Sequence, residues 1–456
     1  MLETGRLKSQ LRGDLIQPGD AAYESARRVN NGMIDRHPAL IARCVDASDV
    51  AACVNFALES GLLLAVRGGG HNVAGMSTCD GGLVLDLGRM RSVRVDPVAR
   101  TARVEGGATL GDVDHATHGF GLTVPTGVLS TTGIAGLALC GGTGYLSRRF
   151  GLTLDNLLEA DVALADGRFV IANERENADL FWAVRGGGGN FGVVTSFLFR
   201  LHPVHTVIAG PVLWPLERAA EALRFFSEFI AKAPEDISGL FAFLKVPPGP
   251  PFPEHLHRQN VCGVVFCYTG SPEKFEEVYR PFRAFAPPAF ELLVPMPFPV
   301  LQSMFDGLWP PGLQQYWRAD NFGEFSDAAI AAQVEWGSRI PTQLSAIFIY
   351  PIDGAVHRVA ESATAFSYRD VKWAEVIVGA DPDAANNDAM IGWVKKCWEA
   401  VHPYSAGGAY LNFIGEEGQD RIRASYRGNY SRLAAVKKKY DPNNFFRLNQ
   451  NIPPET

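Results

Sequence analysis

Apolar residues recur at Val50, Val54, Ala57 and Leu58, with Ser48 placed to cap and Gly61 placed to stop, so the spacing predicts a helix near 49–60. The run Leu62–Val66 that follows has the length of a strand and opens into Arg67-Gly68-Gly69-Gly70-His71-Asn72, a strand feeding a glycine loop. Further strands are predicted at Leu83–Leu87, at Val93–Val95 turned by Asp96-Pro97, and at Thr101–Glu105; a helix from Leu110 to His118 stops at Gly119. Beyond about Leu201 the texture changes. Pro and Phe become dense, the alternating runs Val261–Tyr268 and Leu344–Tyr350 predict an antiparallel sheet, and helical stretches at 218–231 and 325–336 interleave with it. Glycine returns near His402-Pro403-Tyr404, and the last residues end in Asn449-Gln450-Asn451, which predicts a tail packed back on the first part. No repeat at ~20–50 residues is visible, which sets aside solenoids and propellers. No apolar run approaches the ~18 residues of a membrane span.

The length of 456 residues implies about two packed units. Glycine (47) and proline (29) without a fixed period exclude collagen-like and low-complexity chains. A balance of 42 Lys+Arg against 49 Asp+Glu gives −7, so no basic footprint invites nucleic acid. The first residues carry no apolar secretory core, and the seven cysteines are odd in number and scattered, fitting neither a disulfide framework nor a zinc cluster. A reducing cytoplasm is the expected location.

Three glycine clusters carry the candidate chemistry. Gly187-x-Gly189-x-x-Gly192 matches a dinucleotide fingerprint in letters, but Val193-Val194-Thr195-Ser196-Phe197 follows, a strand where that fingerprint needs a helix N-terminus. What survives is a turn whose backbone N–H groups can approach a ligand. Arg67–Asn72 suits phosphate, with amides as a nest and Arg67 as a charge, or else is a structural turn with a solvated histidine. Gly127, Gly133, Gly136, Gly141, Gly142 and Gly144 crowd around Thr131, Thr132 and Tyr145, either against a large ligand or in a close-packed turn. Three such clusters together imply a nucleotide-sized guest. His115 and His118 lack partners at metal spacing and read as a surface face, and Lys437-Lys438-Lys439 reads as a solvated helix end. No metal site is expected. Phosphoryl-transfer, zincin and α/β-hydrolase signatures are absent.

These stretches, with Gly151-Leu-Thr-Leu-Asp-Asn156, Leu180–Val194, Tyr430–Lys437 and Phe446–Ile452, resemble the berberine-bridge-enzyme-like group of FAD-linked oxidases in the vanillyl-alcohol-oxidase superfamily. The resemblance implies an α+β fold: a two-part FAD-binding domain of the PCMH type (1–205, completed by 405–456) and an inserted substrate domain (206–404) whose antiparallel sheet, flanked by helices, roofs the flavin. It implies FAD bound covalently through His71. Many members add a cysteinyl bond, but the matching position is Leu129 and Cys140 lies eleven residues on, so a single link is expected. Cofactor contacts carried over by the resemblance are the loop Arg67 to Asn72, Leu129, Ser130, Thr132, Gly133, Gly136, Gly141, Gly142, Gly144, Asp155, Asn156, Gly192, Val193, Val194, Asn449 and Asn451.

The implied reaction is hydride removal from a C–H next to nitrogen or oxygen of a small or medium amine or alcohol, with O2 reduced to H2O2. Thr132 falls where the family controls oxygen access, and its small side chain leans toward an oxidase. Tyr350, Tyr410 and Asn412 match positions turned toward the flavin. An alcohol needs a base, and Tyr410 is the candidate, although a tyrosine of ordinary pKa ~10 then requires a cationic or hydrogen-bonding neighbour. A neutral amine needs no base, and Phe348, Tyr350 and Trp317 would only shape the pocket or pack the core. Rival readings are a carbohydrate or secondary-metabolite alcohol oxidase or dehydrogenase, a flavin-binding protein without turnover, and an NADPH-driven flavin reductase. A monomer or homodimer is expected.

Overall fold

The computed structural model describes residues 4–455. The first part builds two sheets. Asp14–Ile16, Leu40–Arg43, Leu83–Asp86 and Leu64–Arg67 lie in that order, the last three mutually parallel. The helix Ala47–Glu59 packs on this sheet through Val50, Cys53, Val54 and Ala57. Its cap is Asp46 and not Ser48: the Asp46 carboxylate accepts the Asp49 N–H, and Gly61 takes φ +63 just past the end. The second sheet is antiparallel, in the order Val93–Asp96, Thr101–Glu105, Val193–Arg200, Leu157–Ala163, Phe169–Asn173. The helix Leu110–His118 stands where the pattern places it, opened by a reciprocal capping box between Thr109 and Asp112.

An eight-stranded antiparallel sheet follows, drawing its strands from Thr206–Pro215 through Trp373–Asp381. Its two faces separate by the two-residue period of a strand. Phe241, Phe243, Val264, Phe266, Ile347, Ile349 and Ile377 turn to one side. There they pack with Leu223, Phe226, Tyr279, Phe282, Ile330, Trp393 and Val394 from the helices Ala219–Ile230, Phe275–Phe285, Asp327–Gly337 and Asn387–Val401. Leu240, Ala242, Phe348, Tyr350, Val376 and Val378 turn to the other, toward the first part of the chain. The closing helix Tyr430–Tyr440 buries Leu433 and Val436 with Trp182 and Phe181, while Phe445 and Phe446 reach the core beneath the first sheet.

Candidate active site

The glycine clusters and the free face of the large sheet enclose one cavity of about 310 Å³, at the lower end of the range for small-molecule sites. Its floor is backbone. A Cβ on Gly69 would stand 2.3 Å from the Gly133 nitrogen, and one on Gly133 2.3 Å from the Gly69 nitrogen, so the two loops meet only because neither residue has a side chain. Gly136 and Gly189 line the cavity with nothing within 4 Å of where a Cβ would be. The roof is Leu240, Trp317, Phe348, Tyr350, Val376 and Val378, and the segment Tyr410–Phe413 with the tail residues Phe446, Leu448, Asn449 and Gln450 closes the sides. Among the described residues, no Asp, Glu, Lys or Arg lines it.

The wall fits a flavin nucleotide. Ser77 Oγ, Thr143 Oγ1, Tyr426 OH and Asn449 Oδ1 are buried on it without a hydrogen-bond partner, a cost that a bound guest with polar edges would relieve. With no cationic side chain on the wall, a diphosphate would be held by backbone N–H groups of the glycine loops. His71 lines the cavity, half-buried. That burial pulls its imidazole down to about 4, against the opposing pull of the Thr131 backbone and the Asp306 carboxylate, so the ring is neutral at pH 7.

Tyr410 sits at the junction of floor and roof. Its oxygen accepts the Gly142 N–H at 2.6 Å and the Asn412 amide at 2.8 Å, and Asn412 also donates to Leu137 O at 3.1 Å. Burial pushes the hydroxyl above its ordinary value, the two donors pull the other way, and no Lys or Arg on the wall offsets the burial. Tyr350 is pushed up by the same burial and by the neighbouring Tyr410.

The cavity brings together Gly68, Gly69, Gly70, His71, Asn72, Leu129, Thr132, Gly133, Gly136, Gly192, Val193, Val194, Asn449, Tyr350, Tyr410 and Asn412. The other expected contacts lie off its wall, each engaged elsewhere. Arg67 is paired with Asp86 at 2.8 Å. Ser130 donates through its N–H and hydroxyl to Asp306. Gly141 and Gly142 wrap the Tyr410 ring and hydroxyl, and Gly144 lies against the Thr126 and Gly127 carbonyls. Asp155 forms a bidentate pair with Arg369 at 2.7 and 2.8 Å. Asn156 donates to the Phe150 and Leu152 carbonyls and meets His202 Nε2 at 2.6 Å, and the Asn451 carbonyl accepts from Gln419.

Residues the pattern missed complete the wall: Val128, Cys140, Thr143, Phe305, Trp309 and Phe413. Cys140 is pushed up to about 12 by burial, an unreactive thiol at neutral pH. Lys437 corrects the reading of a solvated helix end. Its fully buried ammonium donates to Asp441 Oδ2 at 2.6 Å, Asn190 O at 2.7 Å and Phe446 O at 2.8 Å, clasping two wall segments together. Lys438 and Lys439 are the exposed members of the run. A lysine four residues before an aspartate was the available signal.

A glycine-floored cavity under an antiparallel roof fits one class of FAD-dependent oxidoreductase, and comparison with known proteins agrees. The FAD binding domain family matches residues 38–173, and the berberine and berberine-like family matches 409–453. An FAD-linked oxidoreductase of Dictyostelium discoideum is 31% identical over 97% of this chain and 95% of its own. The (R)-6-hydroxynicotine oxidase of Paenarthrobacter nicotinovorans is 29% identical over 98% and 97%. The crystal structure of 6-hydroxy-D-nicotine oxidase from Arthrobacter nicotinovorans superposes with a TM-score of 0.87 at 28% identity over 98% of each chain. Physcomitrella patens BBE-like 1 does so with 0.88 at 26% over 99% of each. The chain belongs to the berberine-bridge-enzyme-like family of FAD-linked oxidoreductases.

Proposed function

We propose that this enzyme is an oxidase that takes hydride from a C–H next to nitrogen or oxygen of a small or medium amine or alcohol, with its FAD tethered through His71 alone. The observation that carries the reading is that one cavity joins the glycine floor and His71 to Tyr410, Tyr350 and Asn412 beneath the sheet. Bound FAD supplies the hydride acceptor, and O2 restores it with release of H2O2. The remaining work belongs to side chains. A neutral His71 keeps a nitrogen lone pair free for the tether, and Leu129 leaves no sulfur at the second position. The Gly142 N–H and the Asn412 amide fix the Tyr410 oxygen and, as donors, work against the burial that disfavours its phenolate, the form in which it would accept the proton of a substrate hydroxyl. Leu240, Val376 and Val378 exclude water from the roof. Seven free cysteines fit a reducing cytoplasm as the location.

The test is anaerobic. Amines and alcohols are mixed with the holoenzyme, the flavin absorbance is followed, and air is then admitted with peroxidase-coupled detection of H2O2. Bleaching by at least one of them, reversed by air with H2O2, is the expected result. Bleaching by NADPH alone, or by nothing, would replace the reading with a reductase or a flavin carrier.

A further inference from the structure

We propose that the cavity selects a neutral, ring-bearing substrate, an aromatic alcohol or an amine in its free-base form, and rejects ammonium ions, carboxylates and oligosaccharides. The inference rests on the oxidase reading above and narrows it to a substrate class. The roof is apolar by strand period: Phe348 and Tyr350 face the cavity while Ile347 and Ile349 face the helices, and Val376 and Val378 do the same around Ile377. Phe413 joins this face to the side wall, its ring 5.4 Å from Tyr350, 4.8 Å from Tyr410 and 6.4 Å from Trp317 between centroids. Phe305 and Trp309 add two more rings from the segment between the large sheet's strands.

The charges nearest this cage are committed away from it. Asp306, next to Phe305, is held by Ser130. Arg318, next to Trp317, pairs with Glu417 at 2.8 Å. The titratable groups on the wall are His71, Cys140 and the tyrosines 350, 410 and 426, and all of them are neutral at pH 7. An ammonium ion entering here gives up its water for no counter-ion on the wall, and the Asp306 carboxylate behind His71 is already engaged by Ser130. Ring faces return part of that loss, but the desolvation penalty is the larger quantity. A carboxylate meets the negative ring faces and does worse. An oligosaccharide brings many hydroxyls to a roof whose polar groups are the Trp317 indole N–H and the Tyr350 hydroxyl, leaving most unpaired. A flat neutral ring buries its faces against Phe348, Phe413 and Trp317. Trp317 Nε1, without an acceptor in the fold, is then the donor that sets its orientation.

The holoenzyme is titrated with four probes: benzyl alcohol, benzyltrimethylammonium, benzoate and xylobiose. Binding is read from indole fluorescence and the flavin spectrum, independently of turnover. Benzyl alcohol is expected to bind at least ~10-fold tighter than each of the other three. Phe348→Asp, checked for folding by its retained flavin spectrum, is expected to invert the order between benzyl alcohol and benzyltrimethylammonium. For N-methylbenzylamine as substrate, kcat/KM should fall about tenfold per pH unit below the amine's pKa and be flat when recalculated on free base. Equal or tighter binding of the quaternary ammonium, benzoate or xylobiose overturns the inference, as does failure of benzyl alcohol to bind. Selective binding of benzyl alcohol without bleaching by any compound would leave the selectivity standing and refute the oxidase reading alone.

Discussion

Replacing Lys437 with methionine tests how the cavity wall is held. The side chain keeps its length and loses the ammonium that bridges Asp441, Asn190 O and Phe446 O. Burial already pulls this ammonium below its ordinary value while Asp441 holds it up, so the pair stands on geometry and not on surplus charge attraction. Removing one partner of a buried pair costs about 3–5 kcal/mol, because the other charge is left without compensation. Asp441 keeps the Phe445 and Phe446 N–H groups at 2.7 and 2.8 Å, which places the cost at the lower end, about 3 kcal/mol. For a unit of a few hundred residues that lowers Tm by roughly 6–12 °C. Wall segments 188–190 and 446–450 both hang on this clasp, so flavin per purified chain should fall with it. Scanning calorimetry gives the first quantity and absorbance the second. The double variant Lys437→Met with Asp441→Asn removes the stranded charge but keeps only one acceptor for the Phe445 and Phe446 N–H groups, so it should recover part of the Tm and little of the flavin. A Lys437→Met protein with Tm within about 1 °C of the parent and full flavin would refute the clasp.

Three further outcomes follow from single side chains. His71 has its pKa depressed to about 4 from 6.5, so the unfolded chain binds the extra proton between those values; stability and attachment of FAD to apoprotein should hold above pH 6.5 and be lost as pH falls toward 4, and His71→Ala should show no attachment at any pH. Asp114 is raised to about 8 by burial alone, with both oxygens unpartnered, so the folded chain holds its proton longer than the unfolded one and stability falls as pH rises from about 4 to 8. Asp114→Asn should therefore gain Tm over the parent at pH 8 and little at pH 4, and equal gains at both would contradict the assignment. Tyr410→Phe should slow anaerobic flavin reduction by an alcohol at least ~10-fold with FAD retained, and leave reduction by a free amine near the parent rate; an unchanged alcohol rate removes Tyr410 from the chemistry.

Local pattern carried the elements well. The strand Thr101–Glu105 and the helix Leu110–His118 fall on their expected bounds, and Val193–Arg200 is the strand its β-branched run implies. What local pattern could not carry is pairing across the chain. Arg67 stands beside its glycines in sequence, and the parallel register gives it a partner the local string does not show, Asp86, nineteen residues on. Asp155 likewise waits for Arg369, more than two hundred residues away. Three lysines at a helix C-terminus suit the dipole and solvent alike, yet Leu433, Val436, Lys437 and Tyr440 share one buried helix face, which takes Lys437 inside. The aromatic side of the cavity, with Phe305, Trp309 and Phe413, comes from segments with no motif, and only the packed fold brings them to one surface.

The measurement closest to the central claim is to precipitate the holoprotein in acid, digest the pellet, and seek flavin mass on the peptide that contains His71. Flavin is expected on that peptide and on no cysteine-containing peptide that lacks His71. FAD released into the supernatant, or found on a cysteine, would contradict it.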